Sequence, residues 1–246
     1  MRTLRIGVSL KAYFGYRASI SWLEAAIELA AASPAVRDGS VEVFLAPSTP
    51  LLETAVRLSR NTPIVVCAQD CSVWPTGAHT GETTAELLAE MGVSMVELGH
   101  AERRRDQGET DAVIARKTEA ATLWGLTPLI CVGEPERGTP ADAARVCLDQ
   151  LTRTLEPAAP ALIAYEPVWA IGADHPADPG YVSEVATALR EHLGDREQRP
   201  ILYGGSAGPG LLHSLGPAVD GLFLGRFAHD IRNFDRVLDE AAAAVA

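Results

Sequence analysis

Cysteine and lysine are both scarce in this chain, and positive charge as a whole is in short supply. The four cysteines, Cys67, Cys71, Cys131 and Cys147, form no CxxC pair and no metal-ligand spacing with the histidines. Reduced, mostly buried thiols are therefore expected, and no metal site. No apolar run approaches the roughly 20 residues that a membrane-spanning helix needs. Met1-Arg2-Thr3-Leu4-Arg5 leads directly into a strand-like run, without the apolar core and small-residue cleavage site of a secretory signal. A cytoplasmic protein with no membrane partner is the expectation. Twenty-one Lys and Arg face 32 Asp and Glu, a formal net charge of -11. That balance argues against a nucleic-acid partner, which needs a basic face. An anionic substrate would have to be held by local positive features against the overall field. Only Lys11 and Lys117 are lysines. A lysine at the end of the first strand, in a chain that otherwise uses arginine, offers a compact ammonium.

What is present is an ordinary globular composition, 47% hydrophobic and 22% charged, arranged as an alternation. Strand-like runs are expected over 4–10, 41–46, 64–68, 94–98, 127–132, 162–165, 200–203 and 221–224. Helical patterns separate them over 19–32, 50–60, 82–90, 110–124, 140–155, 179–193, 209–215 and 231–245, with Ser48 or Thr49 and Thr139 as expected caps. Gly125 follows one helix as a natural stop, and Pro179 starts another. Eight strand–helix units run without a linker or composition break, which implies parallel strands. In about 250 residues this is the size of a closed α/β (β/α)8 barrel, expected as one domain over 1–246. An open doubly wound sheet is the alternative. It is weakened because Ser9-Leu10-Lys11-Ala12-Tyr13, and no Gly-rich turn, follows the first strand.

In such a barrel, functional groups collect at the carboxyl ends of the strands. The first strand delivers Ser9 and Lys11 there, and the third Gln69 and Asp70. The fourth delivers Glu97-Leu98-Gly99-His100-Ala101-Glu102-Arg103-Arg104, and the fifth Cys131-Val132-Gly133-Glu134. Glu166 ends the sixth, Tyr203-Gly204-Gly205-Ser206 the seventh, and Gly225-Arg226 the eighth. The segment Ala164-Tyr165-Glu166-Pro167-Val168-Trp169-Ala170-Ile171-Gly172 is central, because Pro167 stops the strand and a Gly-terminated aromatic loop follows. On those nine residues alone, a Glu paired with some arginine is the simpler reading. Carboxylate, imidazole, ammonium and glycine turns on one rim are what proton transfer on a phosphorylated substrate would use.

In this order and spacing, the segments around His100, Cys131, Glu166 and Tyr203 resemble triosephosphate isomerase along the whole chain. The resemblance implies that Glu166 is the base moving a proton between adjacent carbons. His100 would be the neutral imidazole that polarises the carbonyl, and Lys11 the cation stabilising the enediolate. A lid would run from Pro167, Val168 and Trp169 to about Ala177. Backbone N–H groups near Gly172, Ser206 and Gly225 would cradle a phosphate. Glu102 is expected to pair with Lys11 or an arginine, Cys131 to pack, and Glu134 to bind Arg103 or Arg104. Gln69 and the loop through Thr80-Gly81-Glu82 fall where the family makes its homodimer contact. The substrate partner would be a small phosphorylated sugar, with no cofactor.

Four positions depart from the family. Ser9 stands where asparagine is usual, so substrate contact there must change. Ala101 replaces a serine after the histidine. Arg226 replaces a second glycine after the last strand, where it either crowds the phosphate loop or offers a guanidinium to the phosphate. The lid tip reads Ala173-Asp174-His175-Pro176. With Lys11, His100 and Glu166 present, the family reaction on dihydroxyacetone phosphate and glyceraldehyde 3-phosphate is the first expectation. The same chemistry between L-erythrulose 1-phosphate and D-erythrulose 4-phosphate is the second, favoured by the changed shell around an unchanged core. A non-catalytic binding or scaffold barrel is the third.

Overall fold

Eight parallel strands close on themselves in a computed structural model that describes residues 2–157 and 159–246. The strands are β1 (Leu4–Ser9), β2 (Val41–Ala46), β3 (Val65–Ala68), β4 (Met95–Leu98), β5 (Thr127–Val132), β6 (Leu162–Tyr165), β7 (Ile201–Tyr203) and β8 (Gly221–Leu224). Strand β1 pairs with β2 on one side and β8 on the other, which closes the barrel. Between and after them lie α1 (Tyr16–Ala32), α2 (Pro34–Arg37), α3 (Leu52–Ser59), α4 (Ala85–Met91), α5 (Ala101–Asp106), α6 (Asp111–Leu123), α7 (Pro140–Thr154), α8 (Pro179–Leu193), α9 (Leu211–Leu215) and α10 (Ile231–Val245).

The alternation of side chains along each strand makes two cores. Ile6, Val8, Val43, Leu45, Val66 and Val96 face outward into the large core under the helices. Phe44, Cys67, Met95, Leu129, Cys131 and Phe223 face inward and fill the barrel. The rings of Phe44 and Phe223 stack at 5.6 Å between centroids, and the Phe44 ring occupies the space where a side chain on Gly7 would project. Glycine at position 7 is therefore what lets an aromatic ring cross the barrel centre. Helix starts follow local chemistry: Thr84, Thr139 and Asp178 accept the N–H groups of Leu87, Asp142 and Tyr181.

The boundaries differ from expectation where a side chain is used elsewhere. Ser48 does not cap a helix from 50, because its hydroxyl donates to Lys11 O at 2.8 Å. A tight turn over Thr49–Leu51 intervenes, and α3 starts at Leu52. The helix expected from 82 begins at Ala85 because Thr84 is the cap, and that expected from 209 begins at Leu211 after a left-handed Gly210 (φ 87°). Helix α5 was not expected at all. Ala-Glu-Arg-Arg-Arg-Asp has no apolar period to reveal it.

Gly7→Ala would force a methyl into the Phe44 ring. The expected cost is about 1–3 kcal/mol, read as a lower urea midpoint with an unchanged slope. An unchanged midpoint would mean that the ring swings aside freely.

Candidate active site

At the mouth of the barrel, β1 runs out into Lys11, whose backbone is left-handed (φ 47°). That conformation is disfavoured for any residue with a Cβ, at about 1–3 kcal/mol, and the surroundings hold it. Lys11 O accepts from Ser48 Oγ at 2.8 Å and from Gln69 Nε2 at 3.2 Å. The turn directs Lys11 Nζ to Glu102 Oε1 at 2.8 Å. Burial opposes the ammonium charge, but the Glu102 hydrogen bond and the fields of Glu166, Glu102 and Glu97 outweigh it. The lysine is held above its ordinary value. Burial likewise opposes the Glu102 charge, and the hydrogen bond and charge of Lys11 overcome it, holding that carboxyl below its ordinary value.

Glu102 also fixes the imidazole. Its backbone N–H, in the first turn of α5, donates to His100 Nδ1 at 3.1 Å. The ring is thus the tautomer carrying its proton on Nε2. His100 Nε2 lies 3.4 Å from Glu166 Oε2, and both residues are only 5% exposed. Glu166 Oε2 is buried and has no hydrogen-bond partner among the described residues.

Two glycines make room for Glu166. A Cβ on Gly133 would overlap the Glu166 carbonyl, and a Cβ on Gly204 would lie 2.6 Å from Glu166 Cγ and overlap its Oε1. The glycines of the fifth and seventh strand ends thus allow the carboxylate its position.

Above this triad a cavity of about 140 Å³ is lined by Lys11, Gly172, Gly204, Ser206, Gly225 and Arg226 among others. The expected phosphate-cradle positions are therefore brought together with the lysine. Ser9 lies below them, buried on β1. The segment expected as a lid is tied down beside the cavity at several points. Trp169 Nε1 donates to Glu134 Oε1 at 2.7 Å, and Ala177 N–H donates to Tyr203 OH at 3.0 Å. Ser206 Oγ, on a left-handed residue (φ 47°), lies 2.9 Å from Ala170 O and 3.0 Å from Ala173 O. Arg226 Nη2 donates to Gly172 O at 3.3 Å. Arg226 lines the cavity with its guanidinium turned to the Gly172 carbonyl. Asp174, His175 and Pro176 at the lid tip are exposed, and the lid is anchored through Trp169, Gly172, Ala173 and Ala177.

Glu134 does not pair with an arginine, contrary to expectation. Its Oε1 accepts from Tyr165 OH, Trp169 Nε1 and Tyr181 OH. Arg103 instead binds Asp70 and Glu109, where buried Lys117 also donates, and Arg104 binds Asp111 and Gly99 O. The arginines of α5 are drawn to acids of the neighbouring loop and α6, while Glu134 lies under the lid. Cys131 is buried among the inward residues, and burial first, then the charges of Glu166 and Glu97, pushes its thiol well up.

Glu97 was placed at the rim by sequence reasoning but given no role. It faces inward on β4 and is 3% exposed, accepting from Ser9 Oγ at 3.1 Å. Burial, then the Glu166 charge, pushes its carboxyl up to about 7 against the pull of His100, Lys11 and Ser9. The signal was a carboxylate at an inward position of a strand that is otherwise apolar, Met95-Val96-Glu97-Leu98.

A free carboxylate oxygen, an imidazole N–H and an ammonium converging at one mouth can remove a proton beside a carbonyl and stabilise the resulting enediolate. The chain is similar to known isomerases. Residues 5–241 match the family model described as triosephosphate isomerase. The chain is 48% identical to an L-erythrulose-1-phosphate isomerase of Pectobacterium atrosepticum, over 98% of this chain and 96% of that protein. It is 38% identical to an L-erythrulose-1-phosphate isomerase of Rhizobium etli, covering 85% and 83% of the two chains. To a triosephosphate isomerase of Acidiphilium cryptum it is 37% identical, covering 87% and 92%.

Gly204→Ala would push Glu166 off its position while leaving the core intact. Turnover is expected to fall about 100-fold, the scale for an ångström-sized misplacement, with the urea midpoint little changed; an unaltered rate would show that Glu166 works from another position. Glu97 yields a pH prediction. From pH 4.5 to about 7 the unfolded chain releases a proton that the folded chain keeps. Rising pH thus favours unfolding and removes about 3 kcal/mol of stability across that window. Glu97→Gln cannot ionise, so its stability relative to the parent should climb by that amount between pH 4.5 and about pH 8. Urea midpoints at the two pH values test this, and a flat difference refutes it.

Proposed function

The chain belongs to the triosephosphate isomerase family, and on that premise we propose that it interconverts L-erythrulose 1-phosphate and D-erythrulose 4-phosphate. The observation that carries this reading is the 48% identity, over nearly the whole of both chains, to a relative named for the first of these compounds. The triosephosphate isomerase compared with it reaches 37%. The departures in the substrate shell, Ser9 bonded to Glu97 and Arg226 at the cavity, support it.

The phosphate is bound by the backbone at Gly172, Ser206 and Gly225 and by the Arg226 guanidinium, which brings a fixed charge to a cavity in an acidic protein. Glu166 takes the proton from C3 of L-erythrulose 1-phosphate, and the C–H electron pair forms the C2–C3 double bond of an enediolate. Lys11 Nζ and His100 Nε2–H stabilise the oxygen that gains charge at C2. Glu166 returns the proton to C2, and His100 exchanges protons between the two oxygens. The carbonyl now stands at C3, which is C2 of D-erythrulose 4-phosphate once the chain is numbered from its other end. No electron leaves the substrate, so the step needs no redox partner. The lid excludes water while the enediolate exists, and the Trp169–Glu134 and Ala177–Tyr203 hydrogen bonds hold it down.

Dihydroxyacetone phosphate is the same molecule short of one hydroxymethyl group, and the same groups would act on it. Steady-state kinetics on both pairs separate the readings. The four-carbon pair is expected to show the higher kcat/KM by at least about tenfold; a triose preference of that size would overturn the proposal. Glu166→Gln should lower kcat by about 100- to 10,000-fold, the usual worth of a positioned base. Activity surviving that substitution unchanged would remove Glu166 from the mechanism.

A further inference from the structure

Among the inward side chains of the barrel, Glu97 is out of keeping. Its neighbours in the strand order, Cys67, Met95, Leu129 and Cys131, are apolar or thiol-bearing. A carboxyl at this depth costs stability that a valine or leucine in its place would not. Glu166, His100 and Lys11 complete the proton transfer without it. Its hydrogen bond from Ser9 joins β4 to β1 across the barrel interior, directly under the three reacting groups whose charges it feels.

The topology says which end of the substrate meets this pair. The phosphate cradle hangs on the loops after β7 and β8, and β4 lies diametrically opposite β8 in the ring of eight strands. A substrate whose phosphate sits at the β7–β8 side and whose reacting carbons lie between Glu166, His100 and Lys11 points its other end toward β4. A triose phosphate ends there. A four-carbon ketose phosphate carries one more group, a CH2OH.

We propose that Ser9 and Glu97 form the specificity pair for that terminal hydroxymethyl group, an inference that rests on the four-carbon substrate reading above. Ser9 donates its single hydroxyl proton to Glu97 Oε2, so its lone pairs are left to accept a proton from a primary alcohol. Serine, shorter than asparagine by an amide, also leaves room for the added carbon. Glu97 acts through Ser9, holding that hydroxyl in its accepting orientation, and is a positioning residue. A three-carbon substrate leaves the buried pair without its alcohol. A site built for a hydroxyl discriminates against the analogue lacking it by this means.

Calorimetric binding of three non-reacting probes tests the pair: erythritol phosphate, glycerol 3-phosphate and inorganic phosphate. The parent chain is expected to bind erythritol phosphate at least about tenfold more tightly than glycerol 3-phosphate. In Glu97→Leu, which removes the acceptor of the Ser9 hydroxyl, and in Ser9→Ala that preference should shrink to within about threefold, while the Kd for inorganic phosphate stays the same. Absence of a preference in the parent overturns the inference, as does a preference that survives in both variants. A parallel loss of inorganic phosphate binding also overturns it, since that marks a structural role alone. Should Glu97→Leu fail to fold, Ser9→Ala, which removes one oxygen, decides the matter. Turnover distinguishes the two levels of failure. A parent that prefers trioses defeats the substrate reading itself; a parent that prefers the four-carbon pair, with variants that keep the preference, defeats only the role of Ser9 and Glu97.

Discussion

Glu102 ties the site together through a single residue's two ends. Its backbone N–H holds His100 Nδ1 and its carboxylate holds Lys11 Nζ. The first sets which nitrogen of the imidazole carries the proton, and the second keeps an ammonium charged in a half-buried place. Strand β1 and the loop after β4 are thereby locked to each other across the mouth, and the strained backbone of Lys11 has a reason to persist. A helix as short as α5 would be marginal alone. Here its first turn is held by the histidine that caps it and its arginines by acids of the Asp70 loop and α6.

The net charge of -11 makes the local placement of cations decisive. Screening over about 8–10 Å at physiological salt weakens the distant acidic surface, so what a bound anion meets is the immediate lining. That lining supplies Lys11, Arg105 and Arg226 against Glu102. Lys11 is already matched by Glu102 and Arg105 by Asp106, which leaves Arg226 as the cation of this lining with no carboxylate partner among the described residues. Arg226 also bonds the lid through Gly172 O. On the proposed reading, a phosphate bound there would meet a donor already engaged with the loop, so that filling the site and holding the loop would draw on the same guanidinium.

The fold was legible because its signals are local. Alternating apolar runs, Pro167 at a strand end, Pro179 at a helix start and Thr139 as a cap each state their structure within a few residues, and eight repeats of the unit leave a barrel as the natural closure. The gathering of the candidate residues at one rim was legible for the same reason: the strand ends project to one place. What could not be read is what depends on distance in the chain. Glu134 meets Trp169 and Tyr181, which are 35 and 47 residues away, and a charged neighbour such as Arg103 looked the simpler partner. Ser48 is a good helix cap by type, yet its hydroxyl is taken by Lys11 O from a strand end 37 residues earlier. Glu97 was visible as a rim residue but not as an interior one, since strand parity gives the face of the sheet and not the depth within the barrel.

That depth matters to the economy of the fold. A barrel interior filled by Phe44, Met95, Leu129 and Phe223 gains from every apolar atom, and one carboxyl with a serine for partner is a loss that packing alone would not retain. Its position, one layer above Met95 and beneath the reacting groups, restricts what can offset the loss. A purely electrostatic aid to Lys11 is already supplied by Glu102 at 2.8 Å. On the proposed mechanism a second base would be redundant beside Glu166, whose Oε2 has no hydrogen-bond partner among the described residues. What remains is recognition: a polar pair held dry, whose unpaired capacity is satisfied only when a substrate brings a hydroxyl to it. The cost in the empty barrel then becomes selectivity in the filled one, because the substrate that completes the pair recovers it and the shorter one cannot.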